Sequence, residues 1–140
     1  MDIALRTQSG PEATVTVGSS LGGVVSAYLW QSRPEVFGGS GLFSPAFWWP
    51  GERALAELEE SMSLRRKGAR VYVDVGGREE PGEPEIEEAY VRDAGRVVRA
   101  LHEARIPVRF VYDSAASHFE SDWAERFPAA VRWLLRDWDR

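Results

Sequence analysis

The turn Gly18-Ser19-Ser20-Leu21-Gly22-Gly23 joins a strand pattern to a helix pattern and sets the type of fold. Before it, β-branched residues occur from Ala13 to Val17, as in a β-strand. After it, apolar residues recur at helical spacing from Leu21 to Leu29, and Pro34 stops that helix. The turn fits the pattern G-x-S-x-G, in which a serine occupies a sharp bend between a strand and a helix.

The remainder of the chain repeats this alternation of strand and helix three times. Short β-branched or apolar runs predict strands at 37–44, 70–75 and 108–112. Helical spacing predicts helices after Pro50-Gly51, from Ile86 to Leu101, and from Trp123 to Trp138. Four successive strand–helix units predict an α/β fold with about four parallel strands and helices on both faces. We expect one domain over residues 1–140.

Composition and charge argue against several classes of function. The 140 residues carry a net charge of −5 without a sustained basic patch, so we expect no nucleic-acid partner. The absence of cysteine excludes disulfides and thiolate metal sites, and His102 and His118 lack metal-ligand spacing, so no metal or cofactor is expected. No apolar run approaches the roughly 18 residues of a membrane span, which predicts a cytoplasmic protein without a membrane partner.

Ser20 is the candidate nucleophile, because sites in parallel sheets form beyond the carboxyl ends of the strands. At such a turn we expect the flanking glycines to remove side chains that would collide. The serine hydroxyl then lies at a helix N-terminus, where free N–H groups favour developing negative charge. The Leu21 N–H would be one oxyanion-hole donor. The alternatives are a purely structural corner or a phosphate-binding turn.

The loops after the third and fourth predicted strands supply a candidate base and a candidate acid. His118 follows the fourth strand among small residues, which suits a general base, although a surface-loop histidine is the alternative. The acid that orients it would come from the loop after the third strand. Glu79 is the first choice, Glu80 the second, and Asp74, inside the strand, the third. His102 lies within a predicted helix and is expected to be solvated.

Four motifs resemble those of one family, and they occur in order from about residue 13 to the end of the chain. They are V-G-S-S-L-G-G at 17–23, F-S-P-A-F-W-W at 43–49, Y-V-D-V-G-G-R-E at 72–79 and S-H-F-E-S-D-W-A-E-R-F-P-A-A-V-R-W-L-L at 117–135. Together they look like the "Putative esterase" family of the α/β-hydrolase superfamily. That family includes enterochelin-esterase-like and esterase-D-like enzymes. The resemblance covers only the C-terminal half of such enzymes.

The resemblance implies a carboxylic-ester hydrolase that needs no cofactor and acts through an acyl-enzyme. Ser20 maps to the nucleophile, His118 to the general base and Glu79 to the acid, in the chain order of α/β-hydrolases. Substrate-binding positions are also implied beside the nucleophile and after the second strand. They are Ser19, Ser44, Phe47, Trp48 and Trp49. For the two tryptophans, simple core filling is the alternative.

Complete members of the family carry another hundred or more residues before this turn, including the loop with the second oxyanion-hole N–H. We therefore expect a minimal, truncated α/β-hydrolase in which the strand 13–17 is an uncovered sheet edge. Antiparallel pairing of two such edges predicts a homodimer. Alternatively, residues 1–12 fold back over the edge. Two other functions are possible: an inactive binding or assembly module, or a subunit that needs a separate N-terminal chain.

Overall fold

The computed structural model of the protein describes residues 8–62 and 68–135, in which strands and helices alternate as the sequence predicts. A short 3-10 turn, Pro11–Ala13, precedes the first strand. The strands are β1 (Val15–Ser19), β2 (Gly39–Phe43), β3 (Arg70–Arg78) and β4 (Val108–Ser117). The helices are α1 (Leu21–Ser32), α2 (Glu52–Met62), α3 (Pro84–Glu103) and α4 (Glu120–Leu134). Trp138, the predicted end of the last helix, lies outside the described residues.

The four strands form one parallel sheet in the order β1-β2-β3-β4. Every residue of β2 is buried, and β3 is buried along most of its length, as expected for central strands covered on both faces. β1 lies at one edge of the sheet, as the sequence predicts, and β4 lies at the other. The predicted α/β class with about four parallel strands is confirmed.

Helices cover both faces of the sheet, as predicted. Side chains alternate between the two faces of a strand, so Val71 and Val73 of β3 face one way and Tyr72 faces the other. The first face packs against α1, α2 and α3 around residues such as Trp30 and Leu101. The second face packs against α4 through a smaller cluster, whose buried members are Phe43, Tyr72, Ala130 and Leu134. No helix in the described ranges is long and apolar enough to span a bilayer.

The carboxyl ends of all four strands lie along the same side of the sheet, and a polar residue follows each strand directly. Ser20 follows β1, Ser44 follows β2, Glu79 follows β3 and His118 follows β4. Two strands are longer than the sequence predicts, since β3 continues past Val75 to Arg78 and β4 continues past Tyr112 to Ser117. The strand ends therefore carry the candidate acid and base to one side of the sheet.

Candidate active site

Ser20 occupies a strained bend between β1 and α1. Its φ of 55° and ψ of −125° lie where residues with a side chain are rarely found. Neighbouring backbone holds this conformation in place. The Ser20 N–H donates to the Phe43 carbonyl at 2.9 Å, and the Ser20 carbonyl accepts from the N–H groups of Gly23 and Ala46, both at 3.1 Å. Leu21 begins α1, so its N–H is one of the helix's first, free donors.

The glycines around Ser20 differ in how strictly the bend requires them. A Cβ on Gly18 would lie 2.2 Å from the carbonyl oxygen of Gly22, which is a collision with backbone. A Cβ on Gly23 would lie 3.0 Å from the Pro45 Cβ, whereas one on Gly22 would meet nothing within 4 Å. A side chain would therefore collide with backbone at Gly18, as expected, and would fit only tightly at Gly23. Gly22 has room for one.

The structure brings Glu79 and His118 together. Glu79 is buried, with 1% of its surface exposed, and its Oε2 lies 2.7 Å from His118 Nδ1. Its Oε1 accepts the Ser44 hydroxyl at 2.6 Å and the Gly76 N–H. Burial raises the pKa of the Glu79 carboxyl, but the hydrogen bonds from His118, Ser44 and Gly76 outweigh it and hold the pKa below its ordinary value. The group is therefore a carboxylate at neutral pH.

A register shift between β3 and β4 produces this pairing. Gly76 pairs with Asp113, yet Arg78 pairs with Ser117, so β4 gains two residues relative to β3. The residues that follow, Glu79 and His118, consequently lie side by side. Without the shift, Glu79 would face Ala116 instead of the histidine.

The other two acid candidates are placed differently. Glu80 is exposed to solvent. Asp74 is buried, and its oxygens bind the Arg126 guanidinium at 2.9 and 3.3 Å. Asp74 thus forms a partly buried ion pair that links β3 to α4. Of the three carboxylates that the sequence proposes, the geometry joins only Glu79 to His118.

Aromatic rings enclose His118. The Tyr90 ring centroid lies 5.2 Å from the imidazole, and Trp123 meets it edge-on at 4.9 Å. In the sequence, Tyr90 belongs only to the apolar stripe of a predicted helix, whereas Trp123 also belongs to the motif at 117–135 that contains His118. Burial raises the pKa of the Tyr90 phenol above its ordinary value. No hydrogen bond joins Ser20 to His118 within the described residues.

The predicted substrate-contact residues do not all reach a free surface. Ser44 and Phe47 have 0% and 1% of their surface exposed, so neither presents a free surface in this structure, and their substrate-binding role stays a prediction. Trp48 is half-buried with its ring 6.0 Å from Tyr90, while Trp49 is 64% exposed. Ser19 lines a cavity of about 370 Å³ at the end of β1. Within the described residues, no group of three or more histidine or carboxylate side chains could hold a metal.

A family model described as "Putative esterase" matches residues 3–134. Among curated proteins, "Uncharacterized protein YbbA" of Bacillus subtilis is 27% identical over 127 residues, which cover 89% of this chain and 50% of that protein. The iron(III) enterobactin esterase of Dickeya dadantii is 27% identical over 138 residues, covering 89% of this chain and 30% of that protein. The chain thus spans half or less of the length of these relatives.

Solved structures share the fold. The enterobactin esterase FES of Shigella flexneri superposes with a TM-score of 0.79 at 21% identity, covering 99% of this chain and 35% of that one. A ferulic acid esterase superposes with a TM-score of 0.68 at 12% identity, covering 96% of this chain and 55% of that one. At these identities the likeness establishes the α/β fold of these esterases and nothing finer.

Proposed function

The chain belongs to the "Putative esterase" family, and from this premise we propose that it hydrolyses carboxylic esters through a Ser-His-acid triad and an acyl-enzyme. The observation that carries the proposal is the strained Ser20 at the same side of the sheet as the Glu79–His118 pair. A backbone conformation this unusual persists only where surrounding contacts impose it, and such strain is concentrated at functional sites. A structural corner would require neither a buried carboxylate nor a histidine beside it.

In the proposed reaction, Ser20 Oγ attacks the ester carbonyl while His118 Nε2 accepts the hydroxyl proton. Glu79 Oε2 holds the imidazole through Nδ1 and stabilises the imidazolium that forms. The Leu21 N–H donates to the oxyanion. The imidazolium then returns its proton to the departing alcohol, leaving an acyl-enzyme. Water, deprotonated by the same histidine, releases the acid and restores Ser20.

The Ser20 hydroxyl makes no hydrogen bond to His118 among the described residues, so the two groups have to approach before this reaction. Catalytic hydrogen bonds are often long or misaligned without substrate and tighten in the complex. We propose that the bound ester turns the Ser20 side chain toward the imidazole.

Covalent labelling tests this function directly. We expect a fluorophosphonate probe to modify the purified chain at a single serine, which peptide mapping should identify as Ser20. The labelling should depend on a neutral His118, because a protonated imidazole cannot accept the serine proton. Labelling at Ser19 would identify Ser19 as the nucleophile instead of Ser20. A folded protein without labelling would favour the binding or assembly module instead.

We also propose a two-fold dimer that pairs the β1 edges of two chains antiparallel. β1 contains no charge and no proline to block such pairing. Apolar side chains beside this edge are exposed on α1, with Val25 at 55% and Tyr28 at 65%, and Val17 of β1 is also exposed. Joining two edges would form a continuous eight-stranded sheet and cover these side chains.

A cytoplasmic location stays a prediction from the sequence.

Sedimentation of matched variants tests the dimer. We expect the wild type to sediment as twice the chain mass of 15.7 kDa at micromolar concentration. Val17→Lys, which places a charge at the proposed interface, should give the monomer. Phe110→Lys is the control, because Phe110 is similarly exposed on β4 at the opposite edge. A monomeric wild type, or dissociation by Phe110→Lys alone, would refute the β1 interface.

A further inference from the structure

A chain of three hydrogen bonds connects α4 to the candidate base through the interior of the protein. Trp123 Nε1 donates to Ser44 Oγ at 3.0 Å, and the Ser44 hydroxyl donates to Glu79 Oε1 at 2.6 Å. The other oxygen of Glu79 lies 2.7 Å from His118 Nδ1. The two middle members are completely buried, so water does not compete with these bonds. The triad described above makes no use of Ser44 or Trp123.

The chemistry of the donors fixes the direction of every bond in this chain. An indole N–H can only donate, so Ser44 Oγ must accept from Trp123. The single hydroxyl proton of Ser44 is then available for Glu79 Oε1. The backbone N–H of Gly76 also donates to this oxygen, so Oε1 receives two donors and cannot itself carry a proton. Because these hydrogen bonds hold the pKa of Glu79 below its ordinary value, the group is a carboxylate at neutral pH, and its other oxygen also accepts.

The backbone of Ser44 has an energetically unfavourable conformation, which neighbouring groups maintain. Its φ is 41°, which is unfavourable for a residue with a Cβ. Its N–H donates to the Asp74 carbonyl at 3.0 Å and to Asp74 Oδ1 at 3.1 Å, and Arg126 binds the same carboxylate. Neighbouring strand and helix therefore maintain a strained backbone that points the Ser44 hydroxyl at Glu79.

We propose that Ser44 and Trp123 are positioning residues that fix the tautomer of His118. Because Glu79 Oε2 can only accept, neutral His118 carries its proton on Nδ1 and keeps Nε2 free as the base. The consequence for turnover rests on the proposed esterase function. The tautomer itself is a property of the resting protein and can be measured without any substrate.

The test makes the same substitution, serine to alanine, at two buried positions. Ser44→Ala removes the bonded hydroxyl, whereas Ser40→Ala, on β2, removes a hydroxyl that is equally buried but has no hydrogen-bond partner among the described residues. Nitrogen-15 NMR of the neutral imidazole reports which ring nitrogen carries the proton. We expect wild type and Ser40→Ala to show the Nδ1–H form. Ser44→Ala should shift the population toward Nε2–H and lower kcat about tenfold, with KM unchanged.

Trp123→Phe provides a second variant if Ser44→Ala does not fold. It keeps an aromatic ring beside His118 but removes the indole N–H, so the Ser44 hydroxyl is free to turn away from Glu79. We expect the tautomer population of His118 to shift toward Nε2–H in this variant as well, by less than in Ser44→Ala. Unchanged nitrogen-15 shifts in both variants would overturn the proposal, even if Ser20 is labelled normally. A tautomer shift in a protein that the fluorophosphonate does not label would support the positioning role and reject the esterase.

Discussion

Ser20→Ala is expected to lower the hydrolysis of a short-chain activated ester by at least about 10⁴-fold. The variant keeps the bend, since alanine also carries a Cβ, but it removes the only atom proposed to attack the carbonyl. His118→Ala should cause a loss of similar size, because an unassisted serine hydroxyl is a weak nucleophile at neutral pH. The double variant should lose little more, since nucleophile and base act as a unit. Initial rates with purified proteins would measure all three.

His102→Ala is the matched control for the histidine. It removes the only other histidine of the chain, which is exposed near the end of α3. We expect wild-type turnover from this variant, and circular dichroism should show that all the variants are folded. Wild-type turnover from Ser20→Ala would contradict the proposed nucleophile and direct the search to Ser19.

Glu79→Gln is expected to lower kcat by about 10³–10⁴-fold while the protein stays folded. The new amide has nearly the shape of the carboxyl group. Its oxygen is expected to take the Oε1 position, because Ser44 and Gly76 both donate there. The amide NH₂ then faces His118 Nδ1 and must donate to it, which moves the imidazole proton to Nε2. In that tautomer the imidazole cannot accept the Ser20 proton.

Glu80→Gln is the control, because it makes the same substitution one residue further on at an exposed position. It should leave kcat unchanged. A greater loss in Glu80→Gln or in Asp74→Asn would show that another carboxylate orients the histidine. Steady-state kinetics of the three variants decide between the candidates.

The pH dependence of stability offers an independent check on Glu79. Its pKa in the folded protein lies below the ordinary value of 4.5, so the unfolded chain binds the proton more tightly. The resulting stabilisation is present above pH 4.5 and is lost as the pH falls through the lower folded-state pKa. Glu79→Gln should lack this part of the acid destabilisation in denaturant titrations at descending pH.

Local sequence patterns were enough to predict the alternation of strands and helices, the parallel sheet and the turn at Ser20. Each of these depends on residues close together in the chain. Period-two and period-3.6 patterns report which side chains can share a buried face. A serine between glycines after a strand defines a bend through local backbone geometry. The edge position of β1 was implied by the family resemblance instead, and β1 is an edge strand of the sheet.

The tertiary structure alone decided which side chains meet. Sequence order left Glu79, Glu80 and Asp74 as candidate acids, and the two-residue register shift between β3 and β4 brings Glu79 to His118. The bond from Trp123 to Ser44 spans 79 positions in the chain, and no local pattern predicts it. Local patterns specify which elements form and which faces they bury. They do not specify strand register or the packing of one helix on the sheet, because those depend on how distant side chains fit together in the folded core.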